Sequence, residues 1–118
     1  MKEHNIILEK SYSFGLRTVK LYMYLRKQKV ERELLIQFLK SGTLIGANLE
    51  AIGAQSKANF IHKMGIAYKE ARETLYWLKI LRDAGLVEPK IAQSFIADVE
   101  ELNKILDSIL KSSKNTNS

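Results

Sequence analysis

Residues 60–81 read FIHKMGIAYKEARETLYWLKIL, and small or apolar residues recur there at alternating steps of four and three. This spacing keeps the recurring positions on one face of a helix, whereas a strand would alternate every two residues. Heptad steps of this kind are typical of helices packed nearly antiparallel in a bundle. The positions are Phe60, Met64, Ala67, Ala71, Thr74, Leu78 and Leu81.

The same rhythm appears in three further segments. The first contains Ile7, Phe14, Thr18, Leu21 and Leu25, with Tyr12, Val19 and Tyr22 predicted to widen the core stripe. The second contains Leu35, Phe38, Gly42, Ile45, Leu49 and Ile52. The last contains Ile91, Phe95, Asp98, Leu102, Ile105 and Ile109, with Val99 and Leu106 beside them. The fold class predicted is therefore all-α, an up-and-down antiparallel four-helix bundle.

The chain has 118 residues, which fits a single domain, residues 1–118. The helices are predicted at about 5–28, 31–53, 56–84 and 89–111, followed by a flexible polar tail, residues 112–118. Gly53 is expected to terminate the second helix, Ser56 to cap the third, and Gly85 and Pro89 to mark the last joint. The first joint has neither Gly nor Pro. A turn near residues 28–31 is predicted because a continuous helix would place Gln28 and Arg32 in the core; one long helix is the alternative.

Signatures of enzymes are missing from the sequence. It has no Cys, no Gly-rich phosphate loop and no Gly-x-Ser-x-Gly elbow. Its two histidines, His4 and His62, do not form the Glu-x-x-His pairs of di-iron bundles. We therefore expect no enzymatic activity, no catalytic residues, no cofactor and no metal. No apolar run is long enough to span a bilayer, so we expect a cytoplasmic protein that does not bind a membrane.

Two glycines lie four residues apart in the second predicted helix. Each interior Gly costs a helix about 1 kcal/mol relative to Ala, so close approach of another backbone should offset it. The other backbone is either a neighbouring helix of the same chain or a second subunit. The candidate residues for helix packing or a subunit interface are Gly42, Gly46, Asn48, Glu50 and Glu73.

Positive charge is unevenly distributed. Residues 1–60 hold ten Lys and Arg against five Asp and Glu, and residues 61–118 hold nine against eight, within a net charge of +6. Stripes at helical spacing on the first and third helices are candidates for binding nucleic-acid phosphates: Lys10, Arg17, Lys20 and Lys27, and Lys69, Arg72 and Lys79. A solvated face is the alternative interpretation.

Two stretches resemble the bacterial four-helix bundle proteins known as 23S rRNA intervening-sequence proteins. They are residues 46–51, GANLEA, followed by residues 56–61, SKANFI, and residues 66–75, IAYKEARETL, leading to Trp77 and Leu78. The resemblance extends over residues 12–110, although many members carry smaller residues around Tyr68. It also relates the chain to the accessory variability determinant of diversity-generating retroelements.

The resemblance implies an up-and-down bundle that assembles into a homopentamer. It further implies a basic surface that binds RNA or DNA, and a protein partner such as a reverse transcriptase. Asn48, Glu50 and Glu73 match polar positions of the family pattern. Two functions follow as expectations. One is a nucleic-acid-associated accessory protein; the other is a scaffold that docks a protein partner, with its basic charge incidental.

Overall fold

Helices account for nearly all of the computed structural model, which describes the backbone of residues 2–52 and 56–115 and the side chains of residues 5–52 and 56–114. The described residues form four α-helices: α1 (Lys2–Lys27), α2 (Arg32–Glu50), α3 (Lys57–Asp83) and α4 (Pro89–Asn115). The adjacent pairs are α1–α2, α2–α3, α3–α4 and α4–α1. Short connections make consecutive helices antiparallel. The predicted all-α, up-and-down bundle is confirmed.

The α1–α2 connection uses a left-handed residue that is not glycine. Lys29 has φ 60°, the Val30 amide donates to the Leu25 carbonyl at 3.2 Å, and the Lys29 amide donates to the Arg26 carbonyl at 3.1 Å. This pair of bonds is a Schellman motif, which ends a helix by satisfying its last carbonyls. The chain thus turns at residues 28–31, and Gln28 and Arg32 are exposed.

The other helix ends have conventional signals. The Ser56 hydroxyl accepts from the Asn59 amide at 3.1 Å and caps α3, while Gly85, at φ 75°, closes its far end. Pro89 is the first residue of α4. Three predicted ends were misplaced. The first helix, α1, begins at Lys2 rather than near residue 5. The second, α2, ends at Glu50, with Ala51 as its C-cap, and α4 continues to Asn115 through four residues assigned to the flexible tail. The Gly53 prediction and residues 116–118 lie outside the described residues.

The heptad positions of α1 are all buried, but the predicted widening of its core stripe is wrong for two residues. Tyr12 and Val19 were predicted to widen the core stripe of α1 but are 72% and 39% exposed. Each lies five residues after a core position, which is about 140° around the helix and away from the bundle axis. On α4, Asp98 lies at the surface in an ion pair, and the buried positions centre on Val99.

Small polar residues let α1 and α2 approach closely. Ser11 and Thr18 on α1 are buried, and each hydroxyl donates to a carbonyl of its own helix. Opposite them, a Cβ built on Gly46 would lie 3.3 Å from the Ser11 carbonyl oxygen, and one on Gly42 would lie 2.7 Å from the Thr18 side chain. The backbone that approaches the two glycines is therefore that of α1 in the same chain. At Gly42, no second subunit is needed to explain the glycine.

Candidate nucleic-acid interface

Two of the four cations in the basic stripe on α1 contact side chains of α4. The Lys10 Nζ lies 3.3 Å from a carboxylate oxygen of Glu101. Arg17 forms an ion pair with Asp98, donates to the Ser94 hydroxyl at 3.1 Å, and lies 4.1 Å from the centre of the Phe95 ring. These two cations therefore connect α1 to α4. Their positive charge is already compensated by carboxylates.

The remaining two cations of that stripe are exposed. Among the residues whose side chains are described, no carboxylate lies within 4.0 Å of Lys20 or Lys27. Seven residues separate them, which is about 10 Å along a helix. They give α1 two isolated positive charges rather than a continuous phosphate-binding surface.

The stripe on α3 is divided in a different way. The Lys69 ammonium lies 4.0 Å from Glu73, one turn away on the same helix. Arg72 instead stacks beside an aromatic ring, with its guanidinium carbon 5.8 Å from the centre of Tyr68. Neither Arg72 nor Lys79 has a carboxylate within 4.0 Å in the described part of the chain. Two of the three predicted α3 cations therefore have no ion-pair partner among the described side chains.

Those two cations lie in a groove between α3 and α4 with a volume of about 620 Å³, here named the α3–α4 groove. Its α4 side includes Lys104, another cation without a carboxylate within 4.0 Å in the described chain. Glu100 is the acidic residue on the lining. The groove is lined by Tyr68, Arg72, Leu75, Tyr76, Lys79, Glu100, Asn103 and Lys104.

The α4 side of this groove was not predicted from the sequence. Glu100, Asn103 and Lys104 flank the buried positions Val99 and Leu102, so their place beside the core stripe was a usable signal. Cations at helical spacing along a single helix do not reveal this set of residues. The groove instead combines two residues of α3 with one of α4.

Asn103 carries an unusual polar atom. Its side-chain oxygen is buried and has no hydrogen-bond partner within the described chain. Buried polar groups are nearly always hydrogen-bonded, so an unpaired acceptor needs an explanation. This acceptor belongs to a residue that lines the α3–α4 groove.

Glu70 adds a titratable group on the same helix. Partial burial, and then the neighbouring Glu73 carboxylate, raise the pKa of Glu70 above its ordinary value, while Lys69 and Lys40 act in the opposite direction. Its backbone carbonyl accepts from the Thr74 hydroxyl at 2.8 Å. The charged form of Glu70 is therefore disfavoured in the folded protein.

The polar candidates for packing or a subunit interface are not brought together. Asn48 donates to the Leu44 carbonyl of its own helix at 2.8 Å, and Glu73 pairs with Lys69 within α3. Each of these two contacts lies within one helix. Glu50 is exposed at the edge of a second groove.

This second groove lies between α1 and α2 and has a volume of about 600 Å³. Four exposed side chains on α1 border it or extend it: Tyr12, Leu16, Val19 and Met23, here named the apolar α1 stripe. They recur at steps of four, three and four, so they form a second helical face beside the buried one. Gly46 and Ala47 form part of the floor on α2.

The two grooves lie on opposite sides of the bundle. The helices contact one another in the cyclic order α1, α2, α3, α4, so the α1–α2 and α3–α4 faces do not share a helix.

The described residues contain neither a candidate metal site nor a candidate membrane-spanning helix. No group of three or more His, Asp or Glu side chains there is placed to hold a metal ion. No helix in the described ranges is both long and apolar enough to cross a bilayer.

A family model for 23S rRNA-intervening sequence proteins matches residues 3–108 of the chain. This chain belongs to that family. The match covers most of the chain, including both grooves and the Gly42–Gly46 packing against α1. The resemblance inferred from residues 46–61 and 66–78 is therefore confirmed.

Among solved structures, this member of the family is similar to a protein of unknown function from the S23 ribosomal protein family of Bacteroides thetaiotaomicron. The two share 43% sequence identity with a TM-score of 0.88, over 92% of this chain and 98% of the other. The comparison with curated proteins gives no match. Neither the family description nor the similar structure indicates a catalytic activity.

Proposed function

We propose that this protein is a non-enzymatic, oligomeric accessory protein that binds the backbone of RNA or DNA through the α3–α4 groove. The observation that carries the proposal is the convergence of Arg72, Lys79 and Lys104 on one groove, each without a carboxylate within 4.0 Å among the described side chains. Charge that is not neutralised internally is available to phosphates.

The compensated cations on α1 strengthen this assignment by contrast. Lys10 and Arg17 carry the same formal charge but face Glu101 and Asp98. A phosphate approaching them would have to displace or compete with a carboxylate. The α3–α4 groove presents three cations against one acidic residue, Glu100, so it is the more favourable site for an anion.

Assembly is the second part of the proposal. The apolar α1 stripe exposes large side chains that a subunit interface would bury. We propose a homo-oligomer joined through this stripe, with five subunits as the resemblance implies. In a closed ring of five, the stripe of each subunit would pack against a different surface of its neighbour. We place that surface outside the α3–α4 groove, so that each subunit would contribute one basic groove. Several weak phosphate contacts on one assembly then act together.

The proposed site of action is the cytoplasm, where nucleic acid is available, and the proposed binding needs no cofactor. Phosphate contacts of this kind position the protein without reading bases. The interaction is therefore expected to depend strongly on salt.

A mobility-shift titration against salt tests the proposal. Replacing Arg72, Lys79 and Lys104 together by Gln should weaken binding and reduce the slope of log K against log salt by about 2 to 3, since each phosphate contact contributes about 0.7 to 0.9. The matched control is Lys20→Gln with Lys27→Gln, which removes exposed cations from α1 and should leave most of the slope. Absence of any shift by the native protein at low salt and micromolar concentration would sink the proposal.

A scaffold function is the second candidate, and the α1–α2 groove favours it. A protein partner, such as the reverse transcriptase implied by the resemblance, would dock against Tyr12, Leu16 and Val19. The basic charge would then be incidental. Binding of one stoichiometric protein that survives nuclease treatment and is lost on Leu16→Lys would favour this function over nucleic-acid binding.

A further inference from the structure

We infer that the α3–α4 groove binds a single strand of nucleic acid, with bases against Tyr68 and Tyr76 and phosphates at Arg72, Lys79 and Lys104. The inference rests on the proposed function and adds the class of nucleic acid. Proteins that bind single strands combine a cationic groove with aromatic rings on which bases stack. Both components are present here on the same two helices.

Tyr76 is the more accessible ring. It is 57% exposed, and its ring lies edge-to-face with Trp77, with centroids 5.0 Å apart and an interplanar angle of 79°. The contact with Trp77 fixes the orientation of Tyr76 while leaving most of the ring in solvent. A fixed, exposed aromatic surface gives a base a stacking partner at little cost in side-chain entropy.

Tyr68 provides a second ring in the same row. It lies eight residues before Tyr76, which is about 12 Å along the helix axis. Arg72 lies halfway between them in sequence, with its guanidinium beside the Tyr68 ring. The order along α3 is therefore ring, cation, ring, cation, ending with Lys79, an alternation that suits a strand in which bases and phosphates alternate.

The concave shape of the groove also favours one strand over two. In a duplex the bases are stacked internally, so the tyrosines would meet only the sugar–phosphate exterior. The faces of the two tyrosine rings would then have no base to stack on, and only the cations would contact the duplex. The acidic Glu100 on the α4 side opposes phosphate, which places the backbone of the strand nearer the α3 cations.

The experiment compares single strands with a duplex. Fluorescence anisotropy is measured for the full chain with oligothymidylate and oligouridylate of about 16 nucleotides, a length that covers one typical site, and with a duplex of the same length. We expect either single strand to bind at least about tenfold more tightly than the duplex, and quenching of Trp77, the single Trp of the chain, on binding. The two single strands differ in the 2′-hydroxyl of the sugar and in the C5 methyl of the base. Equal binding of both would therefore indicate recognition through the phosphates and base faces that they share.

Variants of the tyrosines test stacking directly. Tyr76→Leu and Tyr68→Leu should each lose about tenfold in single-strand affinity, the effect of removing one stacked base, without changing the salt slope. Tyr76→Phe keeps the ring and should bind normally. Tyr24→Leu, which changes an equally exposed tyrosine on α1, is the matched control, and circular dichroism checks that each variant folds.

The outcomes separate this inference from the proposed function. Duplex binding as tight as single-strand binding, or Leu variants that bind normally, would overturn the single-strand inference and leave phosphate binding intact. Failure of the native protein to bind either form would overturn both. Loss of affinity in the Gln variants of the cations together with normal binding by both Leu variants would support only the proposed function.

Discussion

Gly42 on α2 faces Thr18 on α1 so closely that a side chain at position 42 would force the neighbouring atoms to shift. A Cβ on Gly42 would lie 2.7 Å from both Cγ2 and Oγ1 of Thr18. The threonine cannot easily yield, because it is fully buried and its hydroxyl donates to the Phe14 carbonyl at 2.9 Å. This contact sets how closely the first two helices approach, and it therefore shapes the floor of the groove beside them.

Gly42→Ala is expected to destabilise the protein by about 1–3 kcal/mol through overpacking, despite the higher helix propensity of Ala. The matched control is Gly65→Ala on α3, where the added Cβ meets nothing within 4 Å and the propensity gain of up to about 1 kcal/mol should appear. Urea denaturation measures both. Thr18→Ala should recover part of the loss in the Gly42→Ala background; a stabilised Gly42→Ala variant would contradict the packing described here.

The ion pair between Arg17 and Asp98 should contribute little to stability. Their side chains are 39% and 45% exposed, and solvent screens such pairs, so a double-mutant cycle with Arg17→Gln and Asp98→Asn should give a coupling of at most about 1 kcal/mol. The coupling should shrink as salt is added. The loss of stability in Arg17→Gln alone should exceed this coupling energy, because the guanidinium also packs over Phe95. A salt-independent coupling of several kcal/mol would show that the pair is desolvated, for example by a second subunit.

Assembly should depend on the apolar α1 stripe. Leu16→Lys with Met23→Lys places two charges where the proposed interface buries apolar side chains, so light scattering should show monomers that keep their helical circular dichroism. Tyr76→Lys is the matched control, since it charges an exposed aromatic residue on the opposite face and should leave the subunit number unchanged. A native protein that is monomeric at tens of micromolar, or a double variant that assembles normally, would refute assembly through this stripe.

Glu70 should make stability fall as pH rises through its raised pKa. Because burial and Glu73 raise the pKa in the folded state, the folded protein holds the Glu70 proton more tightly than the unfolded chain does. The contribution is present in full below the ordinary value of 4.5 and is lost as pH increases through the folded pKa. Glu70→Gln should therefore be more stable than the native protein near neutral pH, with the difference shrinking toward pH 4 in urea denaturation. A Glu70→Gln variant that is less stable than the native protein at neutral pH would show that charged Glu70 stabilises the fold, which contradicts this prediction.

Helix identity was predictable because it depends on local spacing. The heptad steps from Phe60 to Leu81 define one face whatever the helix packs against, and Gly85 and Pro89 mark ends by their own backbone chemistry. The α1–α2 joint was predicted only because a continuous helix would have placed Gln28 and Arg32 in the core. Its real signal is a lysine, Lys29, in the left-handed conformation, which no simple rule based on glycine detects.

The candidate site was only partly predictable. Arg72 and Lys79 were selected from spacing along α3, but Lys104 and Asn103 join them across a helix interface. Lys10 and Arg17 fit the same spacing rule and turned out to face carboxylates of α4. Whether a carboxylate neutralises a cation depends on how two helices distant in sequence are aligned against each other. The spacing of residues along one helix does not reveal that alignment.

The sequence by itself determined four amphipathic helices, their approximate ends and a net positive charge, because periodicity and capping act over a few residues. The tertiary structure decided which of two apolar stripes on α1 is buried. Ile7 and Phe14 lie in the core while Leu16 and Met23 remain in solvent, although both sets recur at helical spacing. The physical reason is that burial requires a partner surface, and the close fit of Ser11 and Thr18 against Gly46 and Gly42 orients α1 on α2. The same tertiary contacts place the apolar stripe and the basic groove on opposite sides of one bundle.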